Sequence, residues 1–298
     1  MDATTRISFA KDIESKVLPK DVGKLYQRAE MLGKLPKSLQ RWVVEKGAGD
    51  DPFIPFVVEP YCSFLSYEIV DIDATERQLP PDYRIVPSAI FASTSPRPTA
   101  IVAAFSVHTS VDCGIRVEYY VIAENTRTGM LSWVICDYES NTISDDPGQG
   151  FSGSSTAHAA VTTTFAGELV VDVAGADSGN HLAMTADLHA ASMEPLTERL
   201  WVEGNLSVDY GGKLIEEDST PFGLIFDPGE MQQALRIPLE AVSLEANTFG
   251  AGVVAETPFE ACCFPYAQHF VTTSYPLPTP ITTAVELERA VTSFVDGG

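Results

Sequence analysis

Lysine almost disappears from this 298-residue chain after Lys46; Lys213 is the only one beyond it. Imine chemistry on carbonyl substrates needs a side-chain amine, so most of the chain offers nothing to carry it. The five cysteines, Cys62, Cys113, Cys136, Cys262 and Cys263, contain no Cys-x-x-Cys spacing. Zinc-ribbon and dithiol redox patterns are therefore missing, and free thiols in a reducing compartment are expected. No apolar run reaches the length of a membrane span, and the first sixteen residues lack the apolar stretch of a secretory signal. A cytoplasmic protein with no membrane partner is expected. Gly-x-Ser-x-Gly, His-Glu-x-x-His and Gly-Lys-Ser/Thr are all missing. Their absence removes the nucleophile elbow, the helical zinc protease and the phosphate loop. No metal and no cofactor are called for.

Charge is lopsided. The formal net charge is −22, yet residues 1–46 hold ten Lys/Arg against six Asp/Glu, and the remainder holds nine against thirty-five. A body this acidic repels polyanions, so nucleic acid is a poor partner. The composition, 45% apolar and 20% charged, is that of a globular protein with a real core.

The chain divides at about residue 50. Residues 8–46 repeat apolar side chains at three- and four-residue steps, interrupted by Pro19, Gly23 and Pro36, which predicts two or three short helices. This 1–50 arm is read either as a cap on its own domain or as a contact for another copy, which would make a homo-oligomer. Residues 51–298 read as many short strands with turn signals about every ten residues. Expected strands include 101–109, 114–124, 131–138 and a single run over 161–173, with 182–190 and 200–210 also alternating. Asn125–Gly129 reads as a hairpin connection, and 281–294 as a closing helix.

Within 114–120, alternation puts Arg116, Glu118 and Tyr120 on one face and Ile115, Val117 and Tyr119 on the other. That polar face either meets solvent or lines a cavity. The next loop, Ser144–Ser155, carries Asp145, Asp146 and three glycines, which let backbone pass close to a ligand. His108 and Ser106 share one strand face and are expected to point where Glu118 points. His158 follows the glycine loop. His181 and His189 would lie about 26 Å apart on one strand, too far for a shared metal.

These parts, in this order, resemble the acetoacetate decarboxylase superfamily. The resemblance rests on Phe105-Ser106, Gly114-x-x-x-Glu118, the run Ser66–Val70 through Leu79-Pro80-Pro81, and the loop Asp145–Ser154 before the run from Val161 to Val173. It spans about residues 60–280. It implies a β-rich α+β fold in which antiparallel strands form a closed cone or barrel around a ligand cavity, with N-terminal helices and a C-terminal helix. It also implies Glu118 as a cavity carboxylate for acid–base work. The family's loop lysine has no counterpart here, so imine-based decarboxylation is not expected. The resulting expectation is a cofactor-independent lyase or cyclase acting on a keto-type or polyketide-like small molecule. Glu118, Arg116 and His108 would be catalytic, and Tyr120, Ser106, Tyr67, Asp146, Phe151 and Ser154 would bind substrate. The alternative is a binding protein for an apolar or aromatic ligand.

Overall fold

A computed structural model describes residues 1–17, 33–40, 42, 53–109, 113–142, 144–146, 148, 150–215, 221–273 and 281–296. The part of the expected helical stretch over 18–32 and the division near residue 50 lie outside them.

Strand-forming sequence dominates, and it assembles into two main sheets. The larger, thirteen-stranded sheet contains β1 (Phe53–Val58), β2 (Cys62–Glu68), β3 (Tyr83–Ile85), β4 (Pro87–Ser88), β5 (Arg97–Thr109), β6 (Cys113–Asn125) and β7 (Leu131–Ser140). Later segments complete it: β13 (Ser192–Pro195), β14 (Val208–Tyr210), β15 (Leu224–Phe226), β16 (Gln233–Arg236), β18 (Glu260–Phe264) and β19 (Gln268–Thr273). The smaller sheet is β10 (Thr156–Thr163), β11 (Glu168–Gly175), β12 (His181–Asp187) and β17 (Val242–Asn247). A separate hairpin joins β8 (Ser144–Asp146) to β9 (Gly150–Ser152). The β14–β7 pair is parallel and the other ladders are antiparallel, so the large sheet is mixed.

The long strand β5 is the spine. Along one edge it pairs first with β2 and then with β1; along the other it pairs with β6. From β6 the pairing continues through β7 to β14, and from β1 through β19 to β15. Among the described residues no continuous ladder joins β14 to β15, but an isolated bridge links Val208 to Phe222, just ahead of β15.

Alternation along these strands builds two cores on opposite faces of the large sheet. One contains Ile101, Ile122, Trp133, Trp201 and Phe264. The other, between the two sheets, contains Tyr67, Val102, Val117, Tyr119, Val171 and Met184. The first core also receives α1 (Ala3–Lys16), whose Phe9 and Ile13 are fully buried. Asp2 caps this helix by accepting a hydrogen bond from the Thr5 amide at 2.8 Å. The C-terminal helix α2 (Ala284–Asp296) packs beside it, with Phe294 edge-on to Phe9 at 5.7 Å.

Two expectations need correction. The single run over 161–173 is two strands, because Gly167 adopts φ +79° and turns β10 back into β11, leaving Phe165 exposed. The 200–210 segment does not alternate throughout. Its first half, Arg199–Leu206, winds helically, so that Leu200, Trp201 and Leu206 are all buried before β14 begins.

Candidate functional site

A cavity of about 380 Å³ lies on the first-core face of the large sheet, within the size range of small-molecule sites. Its walls follow the strand order: Phe105 and Val107 from β5, Trp133 and Ile135 from β7, and Phe56 and Phe270 from β1 and β19. Val208, Phe222 and Leu224 line the side where the Val208–Phe222 bridge sits. Most of this wall is apolar or aromatic. Trp133 meets Tyr120 edge-on at 5.0 Å and Trp201 at 5.3 Å. Both indoles are anchored, Trp133 Nε1 donating to the Leu200 carbonyl at 3.0 Å and Trp201 Nε1 to that of Ile90 at 3.2 Å. Buried rings fixed in this way make a rigid aromatic floor.

Charge enters at one place. Arg116, Glu118 and Tyr120 all line the cavity, as their shared face on β6 requires. Arg116 Nε donates to Glu118 Oε1 at 2.7 Å, and the Tyr120 hydroxyl donates to Oε2. The Arg116 and Glu118 side chains are only 17% and 7% exposed, so the pair is largely desolvated. Burial pulls the Arg116 pKa down, but the Glu118 charge, the nearby Tyr138 and Tyr210 phenols and the hydrogen bond to Glu118 together outweigh it and leave the guanidinium above its ordinary value. Burial, then the Glu118 charge, pushes the Tyr120 phenol well above its usual range, so Tyr120 keeps its proton at neutral pH.

The following loop supports this pair from its other side. Arg116 Nη1 donates to Ser144 Oγ at 2.7 Å, and the guanidinium lies 4.6 Å from the centre of the Tyr138 ring. Tyr138 donates in turn to Asp146 Oδ2 at 3.0 Å. Lys37 donates to the Gly148 carbonyl, tying the N-terminal segment to this loop. Gly114 has a steric role: a Cβ there would sit 2.4 Å from Asn141 Oδ1 and 2.8 Å from Thr142 Cβ. Its bare backbone lets 141–142 close over the start of β6, and Asn141 Oδ1 accepts the Ile115 amide at 2.7 Å. Thr142 thereby reaches the cavity wall, and its buried Oγ1 has no hydrogen-bond partner among the described residues.

Other candidates lie elsewhere. Ser106 and His108 are not among the lining residues. The pairing Phe105↔Arg116 puts the odd-numbered residues of β5 on the cavity side, so His108 faces away and meets Glu59 Oε1 at 3.2 Å. Tyr67 is buried in the inter-sheet core. Asp146 acts at one remove, through Tyr138, and Ser154 is exposed, 3.2 Å from the Thr156 hydroxyl. The side chain of Phe151 lies outside the described residues. Missing from the sequence-based set are Trp133, Trp201, Tyr138, Thr142 and Ser144. No lysine is among the cavity-lining residues described, and Lys213 instead pairs with Asp137 at 3.3 Å, 61% exposed. Among the described residues, no helix is long and apolar enough to cross a membrane.

No family model matches the chain, and neither does any curated protein. Among solved structures, the chain is similar to the acetoacetate decarboxylase of Legionella pneumophila. The TM-score is 0.43 at 12% identity, over 74% of this chain and 85% of that one.

Proposed function

We propose that this protein is a cofactor-independent enzyme of the lyase or cyclase type, acting on a keto-type or polyketide-like small molecule. The observation that carries the proposal is the position of Glu118. It is one half of a largely desolvated ion pair at the edge of a mostly apolar and aromatic cavity. A planar, mostly apolar substrate would occupy the aromatic region and present a carbonyl to this polar end. Glu118 takes a proton from the carbon next to the carbonyl, and the electron pair moves into the enolate. The Thr142 hydroxyl donates a hydrogen bond to the charge that develops on oxygen, while the Tyr120 proton stays on Glu118 Oε2. The enolate carbon then attacks a second carbonyl, and Glu118 returns its proton to the new alkoxide. Arg116 positions the carboxylate throughout.

The same reading takes the strands as barrel-like. One arc runs β5–β6–β7–β14 and the other β5–β1–β19–β15, and the isolated Val208–Phe222 bridge, two residues ahead of β15, supports bringing their ends together.

The test is deuterium exchange at the α-carbon of aromatic β-diketones, followed by NMR. The native chain is expected to accelerate exchange, and Glu118→Gln to lose about 10²–10⁴-fold of that acceleration. Full exchange in Glu118→Gln would remove this residue from the chemistry. A second reading, a non-catalytic binding protein, is favoured by one observation: both Glu118 oxygens already hold donors, Arg116 and Tyr120. Saturable binding of such ketones, with thermal stabilisation and no exchange at all, would establish that reading.

A further inference from the structure

The smaller sheet carries a cluster with no part in the cavity. His158 on β10, Asp172 on β11 and His181 on β12 share the face opposite the inter-sheet core, into which Leu169, Val171 and Val173 of β11 project. Their side chains are 51%, 48% and 38% exposed. The ladder shows how they meet. Had the Thr156↔Gly175 register continued unbroken, His158 would oppose Val173, a core position. A bulge between Thr156 and His158 adds one residue and sets His158 opposite Ala174, which opposes His181 on its other side. Two imidazoles therefore flank one small residue across three strands, with Asp172 two positions away on the same face.

His158 Nε2 lies 2.8 Å and His181 Nε2 3.0 Å from the same oxygen, Asp172 Oδ1. The rings stand nearly perpendicular, at 84°, with centroids 6.0 Å apart. One ligand atom from each residue lies within 4.8 Å of the others. We propose that His158, Asp172 and His181 form a binding site for a divalent cation of the zinc type. Two imidazole nitrogens and one carboxylate oxygen supply three of four tetrahedral positions, and water completes the set. Bonds of about 2.0–2.2 Å put tetrahedral ligands roughly 3.3 Å apart, so each imidazole nitrogen opens from Asp172 Oδ1 by only a few tenths of an ångström, and the two nitrogens, within 4.8 Å of each other, adjust to the same spacing. An imidazole-rich set selects zinc, copper or nickel over calcium and magnesium, which prefer oxygen. The acidic field of the chain concentrates cations near its surface. The cluster and the cavity lie on opposite sides of the stacked sheets, so a bound ion would brace β10, β11 and β12 and take no part in the proton transfer proposed above.

The test is calorimetric titration of the untagged full chain with zinc chloride, in a Cys113→Ser background that removes the exposed thiol. One zinc per chain and a rise in melting temperature with zinc are expected, with no heat from magnesium. His158→Ala and His181→Ala should each weaken binding by more than the roughly tenfold typical of a lost outer-sphere partner. Asp172→Asn should weaken it too, with circular dichroism unchanged because all three side chains are exposed. Equal zinc affinity in the native chain and the His158→Ala/His181→Ala double variant, or no binding at submillimolar zinc, would overturn the proposal.

Discussion

Strand β6 places two tyrosines side by side and sends them to opposite fates. Tyr120 lines the cavity and donates to Glu118. Tyr119 is buried between the sheets, and its hydroxyl has no partner within hydrogen-bonding distance among the described residues. Burial raises both phenols, so desolvation alone does not separate them. What differs is the company. The cavity face supplies an ionised network reaching from Tyr120 through Glu118 and Arg116 to Ser144. The other face packs Tyr119 into a hydrophobic cluster with Val102, Val171 and Met184. A buried polar group stabilises when it is paired and costs free energy when it is not. One strand thus holds a matched test of the two cases.

The largest break in this comparison is Arg116→Met. It leaves Glu118 with one donor and no counter-charge among the described residues, and removing one partner of a buried pair typically costs about 3–5 kcal/mol. The stacking of the guanidinium on Tyr138 goes with it. Urea denaturation should show a loss of that size. A loss below about 1 kcal/mol would mean that the pair is wetter in solution than its 17% and 7% exposures indicate. Tyr120→Phe comes next. It takes the donor from Glu118 Oε2 and keeps the ring against Trp133. Hydrogen bonds to charged groups contribute about 1.5–3 kcal/mol, and a loss in that range is expected. An unchanged midpoint would show that water replaces the phenol.

How much of this was legible in the sequence depends on whether a feature needs one strand or several. Period-two alternation within 114–120 is enough to group Arg116, Glu118 and Tyr120, because neighbours two apart share a face whatever the sheet does. Placing His108 with them requires the β5–β6 register, and the pairing Phe105↔Arg116 turns His108 the other way. A register offset of one residue reverses every side chain, and nothing in either strand alone fixes that offset. The same limit hid the cluster on the smaller sheet. His158, Asp172 and His181 come from three strands, and a bulge aims one of them. Reading 161–173 as one strand erased the turn at Gly167 that brings β10 and β11 together. Trp201 was missed because the segment before β14 winds helically where alternation predicted a strand.

The finest test is Tyr119→Phe. Its hydroxyl is desolvated without a compensating bond, so deleting that oxygen removes a penalty and no interaction. The ring keeps its packing in the inter-sheet core, and an oxygen-sized void costs little. The expected outcome is no loss, or a gain of up to about 1 kcal/mol, read as an equal or higher urea midpoint at unchanged slope. The sign is what matters, because Tyr120→Phe makes the same chemical change one residue along and should move the midpoint down. If both variants lose stability equally, Tyr119 has a partner of its own, such as a buried water. The two faces of β6 would then differ in charge but not in how completely their polar groups are satisfied.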